Sequence, residues 1–173
     1  KHNRNKKGGF IVANPVTLHV ENIEKNDNIQ NIYNKYAVTV KADGERRLLY
    51  VNKSDSKIYL IDINFNITNI NYEAKGWEGT IIECEFIKES NLLLLYDILF
   101  EKGNDIRRTQ LKVEQSKRSS KNMGRLFHLE IFLKFLNKEY DNKRVSKDNL
   151  ITIQNKNYLF ASGHTNSIFE KAK

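Results

Sequence analysis

Residues 36–100 form a series of short β-rich runs separated by Asn, Asp, Gly and Ser, and this stretch most limits how the chain can fold. Runs of this length, bounded by turn residues, are typical of an antiparallel sheet. The run at 92–100 is apolar almost throughout, which predicts a central strand covered on both faces. The predicted strands are YAVTVKA, RRLLYVN, KIYLID, FNITNI, TIIECEFI and NLLLLYDILF.

The pattern becomes helical after Gly103. In residues 124–140, leucines recur at spacings of three and four, which predicts one face of a helix; they are Leu126, Leu129, Leu133 and Leu136. We expect a short surface helix over 21–36, the start of another over 165–173, and a small hairpin turning at Asn155. The predicted fold class is therefore α+β, with antiparallel β-sheets and flanking helices.

The amino-acid composition bears on the cellular compartment of the protein and on its binding partners. The net charge of +8 suits a polyanionic partner such as nucleic acid or a nucleotide phosphate. Cys84 is the single cysteine, so no intrachain disulfide can form, and we expect it to be buried and inert. No apolar run approaches the roughly 20 residues of a membrane span. These features favour an intracellular, cytoplasmic protein without a membrane contact.

The sequence shows no internal repeat, which favours one domain. We expect residues 1–8 to form a flexible basic tail and residues 9–173 to form the domain itself. The basic, polar segment around 113–122 is expected to be an exposed loop.

The stretch VKADGERRLL, residues 40–49, allows two interpretations. Asp-Gly between two β-rich runs is a strong signal for a type I′ hairpin turn, because both central residues of that turn need a positive φ. The hairpin accounts for Asp43 and Gly44 but leaves the spacing of Lys41 and Arg46 to chance. The second interpretation makes Lys41 a nucleophile.

The pattern K-x-D-G-x-R at 41–46 resembles the nucleotidyl-lysine motif of the family that includes ATP-dependent DNA ligases, RNA ligases and mRNA capping guanylyltransferases. Two further elements follow in order: TIIECEFI resembles the family's strand ending in D-G-E, and LLLLYDILF resembles its aromatic-Asp strand. NPVTL, upstream of the lysine, resembles capping enzymes, especially those of large cytoplasmic DNA viruses. The resemblance thus implies a nucleotidyltransferase domain, ATP-grasp-like, of the ligase and capping type.

This resemblance implies that Lys41 attacks the α-phosphorus of GTP, forms a lysyl-GMP intermediate and passes GMP to the diphosphate 5′ end of RNA. We expect burial on a strand and the nearby cation of Arg46 to favour the uncharged amine. Mg²⁺ or Mn²⁺ would neutralise the charge that develops on the triphosphate. Triphosphatase and methyltransferase domains are possible partners in the same chain or complex.

The same resemblance assigns the nucleotide-binding residues. Arg46 would donate to a ribose hydroxyl, and Glu85 would accept from the ribose or help to hold the metal. Tyr96 would stack on the purine, and Gly44 would let the turn approach the nucleotide without a Cβ. Two further residues have supporting tasks: Asp43 would fix the turn, and Asp97 would pair with backbone or a basic side chain.

The sequence departs from the family pattern in two ways. The D-G-E element reads Glu83-Cys84-Glu85. A later acidic-Gly strand, a K-x-K strand and a C-terminal OB domain are also missing, so we expect an incomplete nucleotidyltransferase domain. Two other hypotheses stay open: an ATP-dependent ligase-type adenylyltransferase, and a non-catalytic RNA-binding fragment of such an enzyme.

Overall fold

The computed structural model describes residues 12, 17, 19, 20, 36–114, 123–142 and 151–160. The predicted tail at 1–8, the predicted helix at 165–173 and all but Tyr36 of the predicted helix at 21–36 lie outside these residues, as does most of the predicted basic loop. The elements are β1 (Ala37–Thr39), β2 (Glu45–Val51), β3 (Lys57–Ile61), β4 (Ile67–Glu73), β5 (Ile81–Ile87), β6 (Leu92–Glu101), β7 (Asn104–Asp105), α1 (Arg125–Asn142), β8 (Thr152–Asn155) and β9 (Tyr158–Phe160).

The chain divides into two compact units, one of residues 1–40 and 157–173 and one of residues 41–156. In the first unit, β1 and β9 form an antiparallel pair that aligns Val38 with Leu159. The Thr39 hydroxyl adds a hydrogen bond of 2.6 Å to the carbonyl of Asn157. This pairing joins segments from opposite ends of the chain.

The second unit holds a mixed sheet in the order β4-β3-β2-β5-β6, with β7 and β8 both on the outer side of β6. Strands β2 to β6 are antiparallel to their neighbours, as the alternating runs predict. Strand β8 instead runs parallel to β6. A parallel pairing needs a long crossover connection, and α1 lies in the segment that makes it.

The core lies between one face of this sheet and α1. Alternate residues of β2, β3, β5 and β6 point toward the helix, which contributes Leu129, Phe132 and Leu136. Trp77 packs edge-on against Phe132, with ring centroids 5.2 Å apart. The predicted helix is confirmed over Arg125–Asn142, and it is the one long helix among the described residues. Within the described ranges, the fold is therefore mostly β-sheet with one helix, and the other predicted helices fall almost entirely outside those ranges.

Two local predictions are wrong, and one of the two interpretations of residues 40–49 is excluded. Strand β1 pairs with β9, so the Asp-Gly at 43–44 does not join a hairpin. Strands β8 and β9 pair with β6 and β1, so no hairpin turns at Asn155. Strand β6 is central, but its burial alternates, because α1 covers one face while Leu94 and Tyr96 on the other face are half-buried.

Candidate active site

The face of the sheet opposite α1 carries the polar side chains that the sequence singles out. In β5, Ile82 and Cys84 point into the core, so Glu83 and Glu85 share the other face. The register places Arg46 of β2 opposite Glu85. We call the residues Arg46, Glu83, Glu85, Tyr96 and Lys156 the polar cluster.

Lys41 lies in the segment before β2, where its side chain is exposed. The prediction that this residue is buried on a strand is wrong, because β1 ends at Thr39 and β2 begins only at Glu45. Asp43 is likewise exposed in this segment. The segment 41–44 is a loop that leads directly into the sheet face bearing the polar cluster.

Gly44 docks this loop on β5. Its backbone N–H donates to Glu85 Oε1 over 3.1 Å. A Cβ at Gly44 would lie 2.7 Å from Glu85 Cγ and 2.9 Å from the carbonyl oxygen of Phe86. A glycine is therefore required by close approach to β5, whereas the hairpin interpretation required it for a positive φ.

Glu83 joins Arg46 and Tyr96. Its Oε1 accepts hydrogen bonds from Arg46 Nε and from the Tyr96 hydroxyl, each over 2.8 Å, and from Arg46 Nη2. Burial alone would lower the pKa of Arg46, but the Glu83 carboxylate outweighs it and raises that pKa. Burial and the Glu83 charge raise the pKa of Tyr96, so its phenol stays protonated and donates.

A β-bulge sets the position of Tyr96. Glu83 pairs with Asp97 and Cys84 pairs with Leu95, so Tyr96 is the extra residue on β6. Bulges of this kind redirect a side chain. The prediction that Asp97 pairs with a basic side chain is confirmed, since both of its oxygens accept from Arg125.

Lys156, a residue not predicted from the sequence, completes the cluster. Its Nζ lies 3.0 Å from Glu85 Oε2 and 5.7 Å from the centroid of the Tyr96 ring. Its backbone N–H donates to the carbonyl of Leu95 over 2.7 Å, which continues the β6–β8 pairing. Lys156 therefore places a half-buried cation beside the aromatic ring of the site.

The prediction that Cys84 is buried is confirmed. Its thiol is fully buried in the core and donates a weak hydrogen bond to the carbonyl of Arg47. Burial raises the pKa of this thiol, which excludes a thiolate nucleophile near neutral pH.

The donor set around Glu85 fits a divalent cation only in part. Within 36–114, 123–142 and 151–160, no group of three or more His, Cys, Asp or Glu side chains is placed to hold a metal. Both Glu85 oxygens already have partners, the Gly44 N–H and Lys156. One carboxylate suits a magnesium-type ion that is held mainly by substrate phosphates and water, as such ions often are.

No helix in the described part of the chain combines the length and apolar character that a bilayer crossing requires.

The sheet carries a K-x-D-G-x-R segment, a facing glutamate and an aromatic-Asp strand, in this order along the chain. These features define the class as a lysyl-nucleotidyltransferase domain. The chain belongs to the mRNA capping enzyme family, since the model of that family's catalytic domain matches residues 2–172. This confirms the family predicted from the motifs at 41–46, 80–87 and 92–100.

One relative of known name matches part of the chain. The chain is 37% identical over 92 residues to a "Probable mRNA-capping enzyme" of Acanthamoeba polyphaga mimivirus. The matched region is 51% of this chain and 8% of that protein. The chain thus spans only a small part of the length of this relative.

Proposed function

We propose that this domain is the guanylyltransferase of an mRNA capping enzyme, with Lys41 as its nucleophile. The observation that carries the proposal is the docking of the Lys41 loop on β5 through Gly44 and Glu85. This contact holds the lysine loop at the sheet face where Arg46, Glu83 and Tyr96 form one hydrogen-bonded group. Membership of the capping family supports GTP over ATP as the nucleotide.

The proposed reaction has two chemical steps. The uncharged amine of Lys41 forms a P–N bond to the α-phosphorus of GTP as the bond to the departing pyrophosphate breaks, and the amine loses a proton. An oxygen of the 5′-diphosphate RNA then forms a new bond to the same phosphorus while the P–N bond breaks. The lysine amine takes up a proton and is regenerated.

The polar cluster provides binding and orientation for these steps. Two of the Arg46 donors are held by Glu83, which fixes the direction of the planar guanidinium and of its remaining N–H groups. We assign the Arg46 guanidinium to the ribose or the phosphates of the nucleotide. The Tyr96 ring, fixed through its hydroxyl, offers a flat face for the guanine base.

The cations and carboxylates of the site suit a triphosphate. Lys156 and Arg46 favour an anionic ligand, and Glu85 holds Lys156 and the lysine loop in place. A Mg²⁺ or Mn²⁺ ion bound with the nucleotide would neutralise charge on the leaving pyrophosphate. Glu85 is the carboxylate that we assign to it, and Asp43 stays a predicted loop-fixing residue.

The test is nucleotide labelling of the full-length parent protein. The protein is incubated with α-labelled GTP or ATP and Mg²⁺, without RNA, and is then denatured. We expect label from GTP to stay on the protein, to be absent in Lys41→Ala, and to be retained in Lys88→Ala, which alters an exposed lysine on the β5–β6 turn. Addition of 5′-diphosphate RNA should remove the label.

Other outcomes of this experiment favour the other hypotheses. Label from ATP alone would identify a ligase-type adenylyltransferase. Binding of 5′-triphosphate RNA without any lysyl adduct would favour a non-catalytic RNA-binding domain. No labelling and no RNA binding by the folded protein would contradict all three.

The wider setting is part of the same proposal. We place residues 9–173 in the N-terminal part of a nucleotidyltransferase domain, with residues 1–8 as a basic tail. Further domains, such as a triphosphatase or a methyltransferase in the same chain or complex, are part of this proposal. A cytoplasmic setting, as for the viral capping enzymes that the sequence resembles, is part of the proposal as well.

A further inference from the structure

Asp97 and Arg125 form a two-pronged ion pair between β6 and the first residue of α1. Arg125 Nε donates to Asp97 Oδ1 over 2.7 Å, and Nη2 donates to Oδ2 over 3.1 Å. The side chains are only 19% and 16% exposed. Because a guanidinium and a carboxylate in this arrangement fix each other's plane, the pair fixes the direction of the Asp97 side chain.

Arg125 is itself held by contacts that lie away from the polar cluster. Its Nη1 donates to the carbonyls of Arg107 and Thr109. Its backbone N–H donates to the carbonyl of Gln110 over 2.9 Å. The preceding Gly124 has a φ of +77°, and a Cβ there would lie 2.9 Å from the backbone nitrogen of Val113. These contacts hold the Arg125 side chain in place, and its ion pair with Asp97 links it to β6.

The Asp97–Arg125 ion pair lies next to the β6 bulge, which positions Tyr96 in the candidate site. Asp97 directly follows Tyr96, the extra residue of the β6 bulge. The Tyr96 hydroxyl donates to Glu83, which in turn holds Arg46. A contiguous chain of contacts thus runs from Arg125 through Asp97 and the bulge to the polar cluster.

We propose that Arg125 is a positioning residue of the guanylyltransferase site, which sets the Tyr96 side chain through Asp97 and the β6 bulge. Arg125 makes no contact with the nucleotide in this role. The proposal rests on the proposed function of the same site. It predicts that loss of Arg125 weakens GTP binding by way of Tyr96, and not only through stability.

The experiment is a double-mutant cycle on the full-length parent protein. The Kd for GTP is measured by calorimetry, and the KM and kcat of lysyl-GMP formation by labelling, for Arg125→Ala and Tyr96→Leu, singly and together. Loss of one well-placed aromatic contact weakens binding by up to about tenfold, so we expect a loss of this size in the affinity of Arg125→Ala for GTP. In the Tyr96→Leu background the further loss should be no more than about threefold, because the ring that Arg125 positions is absent.

Two further variants separate positioning from folding. Arg125→Lys keeps the charge but loses the two-pronged geometry, so it should fold while GTP binding is still weakened. Lys134→Ala removes another ion pair of α1, the exposed one with Glu130, and should leave Kd and KM unchanged. A full recovery of affinity in Arg125→Lys with loss only of thermal stability would contradict the proposal.

The cycle also separates failure of this proposal from failure of the proposed function. Equal losses of affinity in both Tyr96 backgrounds overturn the positioning role while leaving the enzyme assignment intact. A wild-type protein that binds GTP without forming lysyl-GMP contradicts the proposed function, and the cycle is then decided on Kd alone. A folded wild-type protein that does not bind GTP overturns both.

Discussion

The backbone N–H of Gly44 donates to the Glu85 carboxylate over 3.1 Å, and through this contact the loop of the candidate nucleophile rests on β5. The two residues are 41 positions apart in sequence. Lys41 is exposed and lies three residues before Gly44. The reach of its amine toward a nucleotide on the sheet face therefore depends on how closely the loop approaches Glu85.

The closeness of this contact predicts that Gly44→Ala impairs catalysis more than folding. The added methyl would lie 2.7 Å from Glu85 Cγ and 3.2 Å from Ile87 Cγ1, so the loop must move away from β5. We expect lysyl-GMP formation to fall by about 100-fold, because small misplacements of a reacting group have effects of this size. Single-turnover labelling of the full-length protein measures the rate.

The matched control is Gly76→Ala. Gly76 has a φ of +86° and open space where a Cβ would stand. An alanine there costs roughly 1 kcal/mol of backbone strain, but it should leave the labelling rate unchanged. A Gly44→Ala protein as active as Gly76→Ala would show that the Gly44–Glu85 contact does not position Lys41.

A second prediction concerns Glu83, whose buried carboxylate holds Arg46 and Tyr96. Glu83→Gln leaves Arg46 with a neutral partner, so we expect a loss of about 1–3 kcal/mol in the free energy of unfolding. We also expect weaker GTP binding, because Arg46 and Tyr96 lose a common anchor. Urea unfolding with a constant m value measures the loss of stability.

Glu45→Gln is the matched control for Glu83→Gln. Glu45 also pairs with an arginine of β2, Arg47, but its side chain is 49% exposed. An exposed pair contributes at most about 1 kcal/mol. Equal effects of the two substitutions on stability and on GTP binding would contradict the role assigned to Glu83.

The resemblance to the lysyl-nucleotidyltransferase motifs predicts Arg46, Glu85 and Tyr96 as site residues, and these residues lie on strands whose side chains alternate between the two faces of the sheet. The runs that become β2, β5 and β6 place Arg46, Glu85 and Tyr96 in order along the chain. Glu83 could have been identified by the same alternation, since it shares a face with Glu85 in an apolar strand. A carboxylate in such a strand needs a cationic or donor partner.

The remaining features depend on long-range pairing that the local sequence does not report. The Asp-Gly at 43–44 has the local chemistry of a hairpin, yet β1 pairs with β9 instead. The bulge at Tyr96 and the parallel register of β8 arise from the packed sheet. Lys156 reaches Glu85 only through that parallel pairing, so its place in the site is visible only in the structure.

A third prediction follows for Lys156. Its ammonium group lies beside Glu85 and the Tyr96 ring and is 12% exposed, so it should contribute to binding an anionic nucleotide. We expect Lys156→Met to weaken GTP binding by about tenfold, the effect of losing one charge-assisted contact. Calorimetric titration with GTP measures the change.

The control for Lys156→Met is Lys88→Met. Lys88 lies 3.8 Å from Glu45 at a 71% exposed position, so its removal should not alter the affinity for GTP. Unchanged affinity in Lys156→Met would remove Lys156 from the nucleotide site and leave it a structural partner of Glu85.

The last prediction concerns acid stability and Glu78. Hydrogen bonds from the Ser56 hydroxyl and from the Gly76 N–H lower the pKa of this carboxyl from 4.5 to about 2. Because the folded protein then binds fewer protons than the unfolded chain, Glu78 stabilises the fold above pH 4.5. That contribution is lost as the pH falls from 4.5 to about 2.

Thermal melts across this range should therefore show a smaller fall in Tm for Glu78→Gln than for the wild type. Ser56→Ala removes the principal donor and should produce part of the same change, whereas parallel Tm curves for all three proteins would show that Glu78 does not contribute to acid unfolding.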